Sequence, residues 1–138
     1  MKVFLDEGAI LPTRNYSTDA GLDLYSRETR LLKARGSVSL DTGVHIELPQ
    51  NTYGKIESRS GLNVRNCVVS CGGVIDQSFT GSIVVKLYNL GDNDYLVRAG
   101  DRIAQLIIQP CLYETPIETK IWNNDTERSF RGFGSSGR

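Results

Sequence analysis

The carboxylate of Asp76 follows an apolar pair, Val74 and Ile75, in a stretch that opens on two glycines and runs from Gly72 to Asn89. Glycines let a backbone bend sharply or come close to a ligand. A lone acid beside them can take a proton from water, and it can equally hydrogen-bond its own turn. Thr80-Gly81 offers a turn, after which Ile83, Val85 and Leu87 point one way and Val84, Lys86 and Tyr88 the other. The stretch predicts a hairpin with an acid on its inner lip.

Three further polar clusters lie between apolar runs. In Ala20-Gly-Leu-Asp-Leu-Tyr-Ser26, Asp23 alternates with Leu22 and Leu24 and points away from the core; alone it reads as a solvated strand aspartate. In Ser58-Arg-Ser-Gly-Leu62, Ser60 is expected to cap a helical turn through about Asn66, with Arg59 beside free N–H groups. That makes a small anion site, or else Arg59 is a structural ion-pair partner. In Ile103-Ala-Gln-Leu-Ile-Ile108, Gln105 interrupts an apolar strand, so its amide satisfies neighbouring backbone or faces a polar pocket.

From Trp122 the character changes. Residues 123–138 hold Phe130 and Phe133 as their only large apolar side chains, with Arg128, Arg131, glycines and serines. Such a strip cannot build a core. It reads as a frayed terminus or as an arm folding over a ligand, with Phe133 on a ring and N–H groups on phosphate. It is not a P-loop, since Gly-Lys-Ser/Thr is missing.

At 138 residues the chain is one domain, and 16 basic side chains balance 16 acidic ones without a Lys/Arg run. An extended nucleic-acid track is therefore not expected. No apolar run reaches membrane-spanning length and the N-terminus carries charge early, which predicts a soluble intracellular protein, cytoplasmic or else nuclear or viral. The three cysteines, Cys67, Cys71 and Cys111, lack disulfide or zinc spacing and are expected as buried thiols, and the single His45 has no ligand partner at metal spacing.

The positioning elements read as short strands. Val3 to Leu5, the Leu22 segment, two meander strands between Leu31 and Leu48 turning at Asp41-Thr42-Gly43, Tyr53 to Glu57, the central hairpin, Tyr95 to Val97 and Ile103 to Ile108 all alternate or run apolar. With one helical turn, they predict an all-β barrel or sandwich.

Together the clusters resemble, in order and over nearly the whole chain, the five motifs of the trimeric deoxyuridine triphosphatases (dUTPases). Ala20 to Ser26 is similar to the first, Ser58 to Leu62 to the second, Gly73 to Gly81 to the third, Gly100 to Leu106 to the fourth and Arg128 to Gly137 to the fifth. The resemblance implies a distorted jelly-roll β-barrel over residues 1–122 and a flexible arm over 123–138 that closes on a neighbouring subunit's site in a homotrimer. It implies Mg2+-dependent hydrolysis of dUTP to dUMP and pyrophosphate, which lowers dUTP and supplies dUMP.

Carried over residue by residue, Asp76 would deprotonate the attacking water and touch the 3'-hydroxyl. Main chain around Gly73, Val74 and Ile75 would read uracil, with Ser70 nearby, and Phe79 would pack under the sugar. Arg59, Ser60, Gly61 and Gln105 would hold the phosphates, and Asp23 would reach Mg2+ through water. From the arm, Arg128 would meet the γ-phosphate, Phe133 stack on uracil, and Gly134 and Ser135 donate to phosphate oxygens.

The chain departs from the family pattern at Phe79, usually Tyr, at Ser78, often acidic, at Ser70, often Asn, and at Ser129 and Arg131, where glycines are usual. The Phe79 ring survives without its hydroxyl, so sugar discrimination is expected to remain. A dCTP deaminase-like enzyme and a nucleotide-gated protein contacting a regulatory partner are the competing readings.

Overall fold

The computed structural model describes residues 1–123, 125–127 and 129–130. Among the described residues, eleven strands and one helix are set in the order β1 (Lys2–Leu5), β2 (Leu22–Tyr25), β3 (Arg30–Leu32), β4 (Ser37–Asp41), β5 (Val44–Glu47), β6 (Thr52–Glu57), α1 (Ser60–Asn66), β7 (Val68–Cys71), β8 (Val74–Ile75), β9 (Val84–Asn89), β10 (Tyr95–Val97) and β11 (Arg102–Pro110). The fold is an all-β distorted jelly roll. Its sheets run β1-β5, β10-β3, β2-β11-β6-β8 and β4-β9-β7, with every pairing antiparallel.

Alternation in the sequence places the core. Val85 and Leu87 of β9 are fully buried while Val84 and Tyr88 of the same strand are exposed. On β11 both Ile103 and Ala104 are buried, although neighbours on a regular strand face opposite ways. The register shift between Arg102 and Ala104 against β2 supplies the irregularity that lets both turn inward. They join Leu24, Leu40, Ile83 and Leu106 in one cluster, where burying a Leu or Ile side chain contributes about 1.5–3 kcal/mol each.

Pairing differs from the local hairpins expected. Between Leu31 and Leu48 there are three strands rather than two, and they do not form a meander: β3 pairs with β10, β4 with β9 and β5 with β1. Thr42 is not a solvent turn but buried, its Oγ1 donating 2.7 Å to the carbonyl of Ile83 and accepting the N–H of Val44. Likewise β8 and β9 do not face each other across the Asp76 turn, since β8 joins β6 while β9 lies between β4 and β7. The turn therefore bridges two sheets.

The cysteines are a second correction, for Cys67 and Cys71 are exposed and Cys111 half-buried. Cys67 ends α1 in the left-handed region at φ 54, its N–H bonded to Asn63, so the chain reverses there and the thiol faces out. Among the described residues no helix is long and apolar enough to cross a membrane.

Candidate active site

One sheet carries four of the clusters. In the order β2-β11-β6-β8, β2 brings Asp23, β11 brings Gln105, the end of β6 leads into Ser58, Arg59 and α1, and β8 leads into Asp76. Gln105 lies opposite Asp23 on one side and opposite Glu57 on the other. Asp23, Gln105 and the Arg59 segment, far apart in the chain, thus share one end of the sheet, where an open cleft of about 370 Å³ is lined by Asp23, Arg59, Ser60, Gly61 and Gln105, with Arg102 and Asp19 beside them.

Charge inside the cleft is tied up by Asp23. Its side chain is only 15 % exposed, and Oδ1 accepts Arg59 Nε at 2.9 Å while Oδ2 accepts Arg102 Nη1 at 3.2 Å. Read as a solvated aspartate, Asp23 is instead the counter-ion of two guanidiniums. Arg59 also donates to the carbonyl of Arg102 at 3.3 Å. Both meanings of Arg59 hold together, since the same guanidinium is a structural partner and a wall of the cleft. Gln105 likewise does both things, donating from Nε2 to the carbonyl of Ser58 at 3.0 Å while it lines the cleft.

The helix starts one residue earlier than the capping pattern suggests. Arg59 occupies the N-cap with extended backbone and no side-chain cap, so Ser60 is already helical and its hydroxyl does not serve as the cap. The Arg59 carbonyl accepts the N–H groups of Leu62 and Asn63, while those of Ser60 and Gly61 have no backbone partner among the described residues. Two residues escaped notice in the sequence. Arg102 stands in Gly100-Asp-Arg one step before the apolar run, and only its place opposite Tyr25 on β2 reveals that it reaches Asp23. Arg65, one helical turn after Gly61, folds back until its Nη2 lies 2.7 Å from where a Gly61 Cβ would stand.

Gly21 borders the same cleft, and a Cβ there would lie 2.3 Å from Gln105 Oε1 and 2.8 Å from Gln105 Cβ. The amide could swing away but its Cβ could not. Gly21→Ala is expected to cost about 1–3 kcal/mol in urea unfolding, as overpacking does, and to raise KM for a phosphate-bearing substrate by displacing Gln105. An unchanged unfolding midpoint would mean that β2 and β11 separate freely.

The Asp76 group lies elsewhere along the sheet. Asp76 is exposed, its main-chain carbonyl accepts the Phe79 N–H at 3.0 Å, and its carboxylate makes no hydrogen bond or ion pair with a described residue. Ser70 is tied to the Arg59 side by its N–H, which donates 2.9 Å to Ser58 Oγ, and Gly73 offers its carbonyl to the Ile56 N–H at 3.1 Å. Val74 is exposed, whereas the Ile75 side chain is buried, leaving only its main chain for a ligand. Phe79 is 41 % exposed and folds against Gly81. None of these residues lines the cleft of Arg59 and Gln105. Arg128, Phe133, Gly134 and Ser135 lie outside the described residues.

Comparison with known proteins bears out the family resemblance. The dUTPase family model matches residues 7–137. A deoxyuridine 5'-triphosphate nucleotidohydrolase of Yarrowia lipolytica is 40% identical over 137 residues, covering 97% of this chain and 86% of that one. A relative of the same name from Swinepox virus is 39% identical and covers 98% and 94%. Among solved structures, a Staphylococcus bacteriophage 80alpha dUTPase with dUPNHPP superposes with a TM-score of 0.92 at 29% identity, over 99% of this chain and 98% of that one. A phage phi11 dUTPase of S. aureus, described as coordinating a structural Mg(II) ion, gives 0.81 at 26% identity over 88% and 97%. This chain belongs to the dUTPase family.

Proposed function

We infer that the protein hydrolyses dUTP to dUMP and pyrophosphate. The observation that carries this reading is the single sheet on which four motif-bearing segments lie side by side, in a chain that matches the family from residue 7 to 137.

In the reaction we assign, Asp76 accepts a proton from water as the water oxygen bonds to the α-phosphorus. The bond from that phosphorus to the bridging oxygen breaks, and pyrophosphate leaves with the electron pair. A carboxylate without a partner among the described residues suits this task, because its lone pairs are available to accept. Asp76 also accepts the 3'-hydroxyl, Phe79 packs under the sugar, and the main chain of Gly73, Val74 and Ile75, with Ser70, reads the uracil edge. Arg59, Ser60, Gly61 and Gln105 hold the phosphates, where charge gathers as the bond breaks.

Mg2+ neutralises and orients the triphosphate when bound. Among the described residues no three His, Cys, Asp or Glu side chains converge as an inner coordination cage. That donor set fits an ion that keeps its waters and binds substrate phosphates. Asp23 suits the outer position, since each of its oxygens accepts one arginine and retains a lone pair for water.

Two features support a site shared between copies in a homotrimer. Ile75 pairs with Gly54, and from Gly54 to Ser58 the strand advances about 13 Å at about 3.3 Å per residue, so Asp76 is held well away from the phosphate cleft of its own chain. A second copy would bring the two halves together. Leu112, Ile117, Ile121 and Trp122 are each more than three-quarters exposed, an apolar strip in want of a covering surface. The arm of residues 123–138 then closes a neighbour's site through Arg128, Phe133, Gly134 and Ser135.

Pyrophosphate release with Mg2+, measured across dUTP, dCTP, dTTP and UTP, tests the assignment. Turnover of dUTP should exceed that of dCTP by about 10³-fold or more, because a polar recognition edge leaves groups unpaired with the wrong base, while dTTP and UTP should be slowed by the bulk of the 5-methyl group and of the 2'-hydroxyl against Phe79. Equal rates with dCTP would remove the uracil-reading role of the Gly73 segment.

A further inference from the structure

His45 stands on β5 with its side chain 25 % exposed, in a groove of about 500 Å³ that it shares with Phe4 and Thr80. Its Nδ1 lies 2.8 Å from the carbonyl oxygen of Thr80, and its Nε2 lies 3.3 Å from Asp6 Oδ1. The ring meets Phe4 edge-on at 5.4 Å between centroids. Both nitrogens therefore face acceptors. A neutral imidazole has one N–H and leaves its bare nitrogen against a lone pair, whereas an imidazolium donates to both.

Thr80 belongs to the turn that carries Asp76 and Phe79. The start of that turn is held through Gln77, whose Oε1 accepts the Asn51 N–H at 2.9 Å and lies 3.1 Å from the Tyr113 hydroxyl. Its end is held where Ser82 donates to Asp41 and where the Ile83 N–H donates to the Val44 carbonyl at 2.9 Å. Between those anchors, at the Phe79–Thr80 corner, the tie among the described residues is the His45 ring.

We propose that His45 is a positioning residue for the reaction: hydrogen-bonded at both nitrogens, it fastens the corner of the turn to β5 and to the end of β1, and so fixes Asp76 and Phe79 against the nucleotide. The inference rests on the assignment of Asp76 as the base.

The charged surroundings set the direction of its pH dependence. Asp6 faces the ring directly, Asp41 lies at the end of β4, and Arg27 pairs with both, at 3.6 Å from Asp6. Lys2 and Glu47, paired with each other at 3.0 Å, line the same groove. The Thr80 carbonyl foremost, with the carboxylates of Asp6 and Asp41, raises the imidazole pKa above its usual 6.5, against an opposing contribution from burial. A group whose pKa is raised by folding contributes in full below the unfolded pKa and loses that contribution as pH rises through the folded one. The corner is thus held through both ring nitrogens on the acid side and through one on the alkaline side.

The test is the pH profile of kcat and KM for the full-length protein, His45→Gln, Asp6→Asn and Asp76→Asn, with the His45 ring followed by NMR in the same buffers. In the unaltered protein, kcat should fall about threefold to tenfold over the interval in which the ring loses its proton, the loss of one charged hydrogen bond. KM should move less, because the phosphate grip of Arg59 and Gln105 lies elsewhere. His45→Gln should sit near the lower level without that step. Asp6→Asn should move the ring titration and the activity step together to lower pH, which keeps the test decisive if His45→Gln fails to fold. Identical profiles for the unaltered protein and His45→Gln, or a step that ignores the shifted titration in Asp6→Asn, would overturn the positioning role. Full turnover by Asp76→Asn would instead overturn the assignment of the base.

Discussion

Asp76→Asn should reduce kcat for dUTP by about 10³-fold, within the range expected for loss of a general base, with nucleotide affinity nearly unchanged. The amide keeps the size of the carboxylate and one acceptor oxygen for the 3'-hydroxyl, but it cannot take the proton of the attacking water. Because the Asp76 side chain is exposed and has no partner among the described residues, the exchange should remove no folding contact within them. Stability should stay within about 0.5 kcal/mol in chemical unfolding.

Other carboxylates of the site region are committed. Asp23 answers Arg59 and Arg102, and Asp41 takes hydrogen bonds from Ser82, the Gly43 N–H and Arg27. Burial works to raise the Asp41 pKa, yet those bonds and the Arg27 charge outweigh it and hold the carboxyl below its ordinary range, where it makes a poor base. Near-normal turnover in single-turnover pyrophosphate release would mean that some other group takes the proton. A complementary measurement asks where the halves of the site come from. Inactive Asp76→Asn chains mixed with inactive Arg59→Ala chains, unfolded and refolded together, should regain activity if one chain supplies Asp76 and another supplies Arg59. Failure to regain any would place both residues in one chain's site.

Period-two alternation is a local signal, and whatever depended on it was legible. Ile83, Val85 and Leu87 face inward as their spacing requires, α1 ends at Asn66, and the apolar run from Ile103 forms the longest strand. Which strand lies beside which is not encoded locally. Gly72 to Asn89 reads as a hairpin because a turn separates two apolar runs, yet β8 finds β6 and β9 finds β4 and β7, pairings set by how the sheets close on each other. Asp23 illustrates the same limit at the site. Alternation correctly turned it away from Leu22 and Leu24, but only adjacency of β2 and β11 discloses that Arg102 waits there. Cys67 failed for another reason, since a helix-ending left-handed residue is usually Gly or Asn and a thiol in that role carries no recognisable signature.

Removal of residues 124–138 should leave the barrel intact and lower kcat/KM for dUTP by about 10²-fold or more, the scale on which a closing segment with a transition-state arginine contributes. No described residue of that stretch belongs to the core. The last strand ends at Pro110, and Leu106 is the last buried apolar residue among those described. Beyond it, the hydrogen bonds of Thr119 and Ile121 stay within their own segment. The unfolding midpoint should therefore hold. Catalysis should not, because the two guanidiniums that line the cleft, Arg59 and Arg102, both lie on Asp23, so a triphosphate must compete with that carboxylate for each of them. An arginine arriving with the arm would add positive charge at the outer phosphate, and closure would also remove water, which strengthens every charge interaction beneath it. Arg128→Ala should then reproduce most of the loss, with a smaller effect on dUMP affinity because that product lacks the γ-phosphate, while Phe133→Ala should weaken dUMP and dUTP alike through the lost stacking on the base. If the truncated protein turns over dUTP at the full rate, the arm is no part of the site. If Arg128→Ala weakens dUMP as much as dUTP, the arginine is not reading the outer phosphate.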